Sequence, residues 1–200
     1  MRVHLAVFGG TFDPPHNGHL ALCLYARELL EIDRILISVS NNPFKQHRSV
    51  SDEHRKRMAE CLTAEINLTG PGCQVSGWEL EKQQPSYTVD LLNYVRQLYP
   101  HDSVTLLVGE DSFREFHSWK DYEKLSSLCD IAVFRRTSVE GGAPPPDSLL
   151  QKVSIKVIDF AYEVSSTEIR ELISAGQSVS KFIPPRVNRY IREHGLYLQP

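Results

Sequence analysis

A chain of 200 residues is long enough to bury a core of ordinary domain size, and 41% hydrophobic with 24% charged residues excludes a disordered or fibrous polymer. The formal net charge of −3 argues against nonspecific nucleic-acid binding, so any anion site has to be local. No stretch approaches the ~20 apolar residues of a membrane span.

A short apolar run over residues 3–8 reads as a strand, and it is too short for the ~7–15-residue apolar core of a secretion signal. Gly9-Gly10-Thr11-Phe12-Asp13-Pro14-Pro15-His16-Asn17-Gly18-His19 follows, opening onto an amphipathic run over about 20–30. This is strand, glycine turn and helix. Paired glycines let the backbone pass close to a bulky anion with amide hydrogens aimed at it, and the helix adds the positive end of its dipole. His16 and His19, three residues apart at the helix start, can face the same anion. The pattern is neither G-x-G-x-x-G nor a P-loop.

Residues 34–39, Arg-Ile-Leu-Ile-Ser-Val, read as an apolar run of β-branched type, a second buried parallel strand. A polar loop over 40–50 carries Lys45, and Ser51 caps a helix running to about 64, with Asp52 and Glu53 in its first turn. Residues 74–80 read as a short extended segment and 83–86 as a turn; a helix follows over 88–98. Residues 103–108 are a third buried strand, after which Gly109-Glu110-Asp111 begins a loop. Helical pieces surround Trp119, and residues 130–134 form another strand. Residues 137–147, with two glycines and three consecutive prolines, form the clearest loop in the chain. A strand over 153–160 precedes Val164-Ser165-Ser166-Thr167, a helix near 168–175 closed by Gly176, and a last helix from Pro184-Pro185 to about 194 with Gly195 as its cap.

Strands alternating with helices predict a single α/β domain over 1–200, a doubly wound parallel sheet with a helical C-terminal segment from about 165. Ligands of such sheets bind beyond the carboxyl ends of the strands near the topological switch point. Four post-strand loops therefore matter: the His16–His19 loop, the Lys45 loop, the Asp111 loop and Ser165-Ser166-Thr167-Glu168-Ile169-Arg170. In the last, hydroxyls and amides at a helix start with an arginine one turn in suit phosphate oxygens; an ordinary capping box explains the same letters. Cys23, Cys61, Cys73 and Cys129 are scattered without C-x-x-C spacing, which fits buried thiols in a reducing cytoplasm.

The extended H-x-G-H stretch resembles that of bacterial nicotinate-nucleotide adenylyltransferases, members of the nucleotidyltransferase superfamily. Residues 164–170 are similar to the superfamily's I-S-S-T-x-I-R motif, with Val164 in place of isoleucine and some 150 residues beyond H-x-G-H. Ser86-Tyr87-Thr88-Val89-Asp90-Leu91-Leu92 resembles the S-Y-T-V-x-T-L segment. The acidic residue at 111 with Trp119 eight positions on, Arg55 with Met58, and Tyr190-Ile191 with His194-Gly195-Leu196-Tyr197 have family counterparts too. The chain departs at Pro43-Phe44-Lys45, where many members read Pro-Pro-His and a basic residue, and at Thr137-Ser138 after Arg135-Arg136, where the family has Pro-Gly.

The resemblance implies a Rossmann-like nucleotidyltransferase fold and transfer of AMP from ATP to nicotinate mononucleotide, giving deamido-NAD and pyrophosphate. It implies ATP contacts from Gly9, Gly10, Thr11, Phe12, His16, His19, Asp111, Ser166, Thr167 and Arg170. On the mononucleotide side it implies Lys45, Tyr87, Thr88, Trp119 and Arg136. His16, His19, Lys45 and Arg170 would carry catalysis, and Mg²⁺ would ride on the triphosphate without a protein ligand cluster. Small-molecule substrates are expected, with no nucleic acid or membrane partner; self-association is compatible with the sequence. Core packing is the competing role for Trp119, and a surface-and-core pair for Arg55 and Met58. Nicotinamide mononucleotide or phosphopantetheine as acceptor, and a non-catalytic nucleotide-binding module, are the alternative functions.

Overall fold

The apolar runs become six parallel strands ordered β3-β2-β1-β4-β5-β6. They are β1 (His4–Gly10), β2 (Arg34–Val39), β3 (Cys73–Ser76), β4 (Ser103–Gly109), β5 (Asp130–Arg135) and β6 (Ile155–Asp159). The computed structural model describes residues 3–42, 48–82, 84–135, 154–162 and 164–198. The strand order reverses between β1 and β4, which are hydrogen-bonded neighbours with Val7 opposite Leu106. At such a reversal the flanking connections leave to opposite faces of the sheet, opening a crevice beyond the strand ends.

Side chains alternate across the pleat, so each strand feeds two cores. Ala6 and Phe8 of β1 join Ile35, Ile37, Leu107 and Phe134 on one face. Helices α1 (Asn17–Leu29) and α2 (Asp52–Ile66) cover them, together with the last two helices of the chain, residues 166–174 and 185–193. Leu5 and Val7 join Leu36, Leu106 and Val133 on the other face. There they meet α4 (Thr88–Leu98), α5 (Glu110–Arg114) and α6 (Tyr122–Leu128). A short α3 (Trp78–Glu81) follows β3, and the last two helices are α7 (Ser166–Ser174) and α8 (Pro185–Glu193). Each fully buried Leu, Ile, Val or Phe contributes about 1.5–3 kcal/mol, which is why a strand such as β2, with Ile35, Leu36, Ile37 and Val39, has to sit inside.

Three expectations needed correction. The extended segment over 74–80 stops at Ser76, because Gly77 turns the backbone (φ −89°, ψ 0°) into α3. Gly109-Glu110-Asp111 does not open a loop: Glu110 and Asp111 are the first turn of α5, with Arg114 Nη2 on Glu110 at 3.2 Å. The helix near 168–175 begins at Ser166, since Ser165 Oγ accepts from the Glu168 amide at 3.1 Å. The Ser51 cap is as expected, accepting from His54 N at 3.3 Å. The loop over 137–147 lies outside the described residues.

Candidate active site

The expected glycine turn is instead strand: Gly9 and Gly10 are the last two residues of β1, paired with Ser38 and Val39 at the carboxyl edge of the sheet, and Phe12 with φ 52° and a cis Asp13–Pro14 peptide follow. A Cβ on Gly10 would stand 2.9 Å from the Phe12 ring, so only glycine lets that ring fold back beneath the loop. Phe12 is 1% exposed and packs edge-on against Phe8. The two rings form a floor for His19, whose centroid lies 5.2 Å from Phe12 and 5.8 Å from Phe8.

His16 is the N-cap of α1, and its own backbone N–H donates to His19 Nδ1 at 3.1 Å. The neutral ring of His19 therefore carries its proton on Nε2, as a donor. The His16 and His19 rings lie 3.8 Å apart between centroids at 34°. Gly18 between them is dictated by contact: a Cβ there would meet His16 Nδ1 at 2.9 Å and Tyr162 at 3.3 Å.

Four distant segments hold this loop through its carbonyls and its one carboxylate. Arg170 Nη1 donates to Asp13 O at 2.7 Å, and Ser166 Oγ to Pro14 O at 2.8 Å. Arg55, fully buried on α2, donates to Thr11 O at 2.9 Å and Ser40 O at 3.1 Å. Its other amino group meets Asp52 Oδ1 at 2.7 Å. Burial pushes the Asp52 carboxyl up, but the hydrogen bond and charge of Arg55, with Arg48 beside it, outweigh this and hold it below the usual carboxylate range. Ser49 N donates to Asp13 Oδ2 at 2.7 Å and Tyr197 OH to Oδ1 at 2.8 Å.

Around this loop an open cleft of about 810 Å³ occupies the β1–β4 crevice. Of the expected ATP-side residues, Gly9, Gly10, Thr11, Phe12, His16, His19, Asp111, Ser166, Thr167 and Arg170 all line it, as do Thr88 and Trp119. Tyr87 does not; its ring packs on the α4-side core beneath the Lys120 ammonium, 4.7 Å from the centroid. Phe12 lines the cleft as buried floor, so its side chain supports His19 instead of reaching a ligand. Ser166 and Arg170 are engaged with loop carbonyls, a positioning role that their letters alone did not reveal. Trp119 is half-buried against Phe116, with ring centroids 5.0 Å apart, and also lines the cleft. Arg55 and Met58 are not a surface-and-core pair, for both are fully buried. Lys45 and Arg136 lie outside the described residues.

Sequence reasoning passed over Asp13 as a tether and Glu79 altogether. A glutamate between Trp78 and Leu80 carries no sign of burial in its letters, yet Glu79 is 4% exposed and lines the cleft. Among the described residues, no group of three or more His, Cys, Asp or Glu is placed to hold a metal ion.

The fold is a doubly wound α/β domain, with two histidine rings 3.8 Å apart at the first strand's carboxyl end and a cleft at the point where the strand order reverses. The cytidylyltransferase-like family model matches residues 7–172. A protein named probable nicotinate-nucleotide adenylyltransferase from Pelodictyon phaeoclathratiforme is 60% identical over 196 residues, covering 98% of this chain and 92% of its own. One of the same name from Chlorobium limicola is 55% identical over 195 residues, covering 98% of both. The chain belongs to the cytidylyltransferase-like family and, within it, to the nicotinate-nucleotide adenylyltransferases. The nicotinic acid mononucleotide adenylyltransferase of Plasmodium falciparum, solved in complex with NaAD, superposes with a TM-score of 0.76 at 21% identity over 98% of each chain. At that identity the likeness establishes the fold.

Proposed function

We propose that this chain transfers AMP from ATP to nicotinate mononucleotide, giving deamido-NAD and pyrophosphate. The observation that carries the reading is a single cleft lined by His16 and His19 from the α1 side and by Thr88 and Trp119 from the α4 side. Its support from relatives is their shared name at 60% and 55% identity over nearly the whole chain.

The 5′-phosphate of the mononucleotide is already anionic at neutral pH, so the reaction calls for no general base. Its oxygen forms a bond to the α-phosphorus as the α–β bridging bond breaks, and pyrophosphate leaves with the electron pair. The protein's work is alignment and charge stabilisation. His19, with its proton on Nε2, donates to a phosphate oxygen, and His16 stacked on it meets the same triphosphate. Amides of Gly9, Gly10 and Thr11 supply neutral donors, and Asp111 in the first turn of α5 suits a ribose hydroxyl.

Arg170 and Ser166 hold the carbonyls of Asp13 and Pro14, and with Thr167 they stand beside the leaving pyrophosphate. Lys45 offsets repulsion between the attacking phosphate and ATP, and Arg136 adds a cation on the acceptor side. Trp119 offers its exposed face to the pyridine ring, with Thr88 beside it. Mg²⁺ bound to ATP would offset the charge of the triphosphate, with no cluster of protein ligands for it among the described residues. Four free thiols, with burial pushing Cys73 up to about 11 and Cys129 up to about 12, suit a reducing cytoplasm, and the whole chain works as one domain.

Pyrophosphate release with ATP and Mg²⁺, measured with nicotinate mononucleotide, nicotinamide mononucleotide and phosphopantetheine in turn, tests the assignment. Strong preference for the nicotinate form is the expected result. Preference for either other acceptor would overturn the acceptor, and silence with all three would leave a nucleotide-binding module.

A further inference from the structure

Glu79 is a buried carboxylate outside the loops just described, and the reaction as proposed gives it no task. Both its oxygens are taken. Ser38 Oγ donates to Oε1 at 2.6 Å; Ser86 Oγ at 2.6 Å and Asn41 N at 3.3 Å donate to Oε2. Bonds of 2.6 Å from hydroxyl to carboxylate fall in the charge-assisted class, roughly twice as strong as neutral ones. Burying an ionised carboxylate costs several kcal/mol unless its lone pairs are met, so a short helix that turns one inward needs these three donors.

The donors come from three separate places: the carboxyl end of β2, the loop that follows it, and the segment entering α4. Ser86 N also reaches Asn41 O at 3.4 Å, so the post-β2 loop and the α4 entry are joined directly as well as through Glu79. Asn42, Ser86 and Thr88 line the same cleft as Glu79. Ser38 lies opposite Gly9 in the sheet register, which references the assembly to the carboxyl end of β1. Asn41 Nδ2 also donates to Gln84 O at 3.4 Å in the α4 entry, while Tyr87, the N-cap of α4, makes no side-chain capping bond.

We infer that Glu79 is a positioning residue for the acceptor: its carboxylate locks the Ser86–Thr88 segment to the post-β2 loop, setting the wall against which the mononucleotide binds. The inference rests on the proposed function, which puts the mononucleotide on the Thr88 side. ATP lies toward the His16–His19 loop, which is held by Arg55, Ser49, Ser166, Arg170 and Tyr197 and not by Glu79. Loss of Glu79 therefore acts on one substrate.

The test is steady-state kinetics of Glu79→Ala, Glu79→Gln and Ser86→Ala with each substrate varied in turn, beside a thermal unfolding curve. Glu79→Ala should raise the KM for nicotinate mononucleotide about tenfold or more while the KM for ATP stays within about twofold, since misplacing a binding group by an ångström is costly. Glu79→Gln retains one oxygen acceptor and should fall between wild type and Glu79→Ala. Ser86→Ala removes one donor without unpairing a charge-bearing helix and should show the same one-sided shift, which keeps the inference testable where Glu79→Ala does not fold. Equal rises in both KM values, or a lower Tm with both KM values unchanged, would overturn it and make Glu79 purely structural. Absence of transfer by the wild-type chain would instead overturn the assigned reaction, and this inference with it.

Discussion

The hydroxyl of Tyr197 donates to Asp13 Oδ1 at 2.8 Å across a sequence separation of 184 residues. The other oxygen of Asp13 takes the Ser49 amide, so one buried carboxylate fastens the histidine loop, the end of the post-β2 loop and the C-terminal segment. Burial first, and then the adjacent Asp13 charge, push the Tyr197 phenol well above its ordinary range, so it stays a donor at all working pH. Tyr197→Phe should cost about 1.5–3 kcal/mol, the price of one charge-assisted bond. It should lower kcat/KM for ATP more than for the acceptor. Urea unfolding and initial rates measure the two effects, and unchanged values in both would remove Tyr197 from the loop's support.

Arg55 has no exposed surface and donates to two backbone carbonyls. Arg55→Met fills much of the volume but leaves the carbonyls of Thr11 and Ser40 without these donors. A loss of about 3–5 kcal/mol is expected, the usual cost of breaking a buried charged cluster from one side. Denaturant midpoints of wild type and variant decide it; a loss under about 1 kcal/mol would show that the buried guanidinium is dispensable.

The Asp52 carboxyl is held below its ordinary value in the folded chain, so its contribution to stability is present above the unfolded value of about 3.9. It is lost as pH falls through the lower, folded value. Asp52→Asn should therefore flatten the acid limb of the stability curve below about pH 4. Tm recorded between acid and neutral pH reads this directly, and parallel acid limbs in the two proteins would contradict it.

His19 is placed as an Nε2 donor by the bond that its Nδ1 accepts from His16 N. His19→Ala should lower kcat by about 10²-fold or more with little change in either KM, as expected for a donor acting mainly in the transition state. Gly18→Ala, which pushes a methyl into the His16 ring at Nδ1, should reduce kcat in the same direction while both imidazoles are retained. Full turnover by His19→Ala would sink the assigned role.

Trp119 packs on Phe116 with one part of its ring and faces the cleft with the rest. Trp119→Phe keeps much of the core contact and should raise the acceptor KM while leaving Tm nearly unchanged. Trp119→Ala should raise it further and lower Tm as well. A Tm loss with an unaltered KM would assign this ring to the core alone.

Much of this architecture could be read directly from the letters because the governing physics is local. The run over 34–39 sets β-branched Ile35, Ile37 and Val39 on one face and Leu36 and Ser38 on the other, and a strand buried on both faces is the most favourable place for it. Ser51 followed by Asp52 and Glu53 announces its own helix start, and Gly-Gly with two histidines announces an anion loop. The misreadings have local causes as well: Gly77 ends β3 earlier than its neighbours suggest, and Glu110 and Asp111 are equally at home in a loop or in the first turn of a helix.

Side-chain partnerships lay beyond that reach. Tyr87 sits between two cleft-lining neighbours, yet its ring turns to the core beside Lys120; Arg170 looks like a phosphate ligand and spends a donor on the Asp13 carbonyl. Chain composition and periodicity thus specified the alternating α/β architecture, the place of the crevice and the identity of the histidine loop, since each follows from spacing within a few residues. Folding alone settled that Glu79 and Arg55 are buried, that Asp13 gathers Ser49 and Tyr197, and which faces of Trp119 are covered. The reason is that buried charges are tolerated only where several distant segments converge to satisfy them, and convergence is a property of three dimensions.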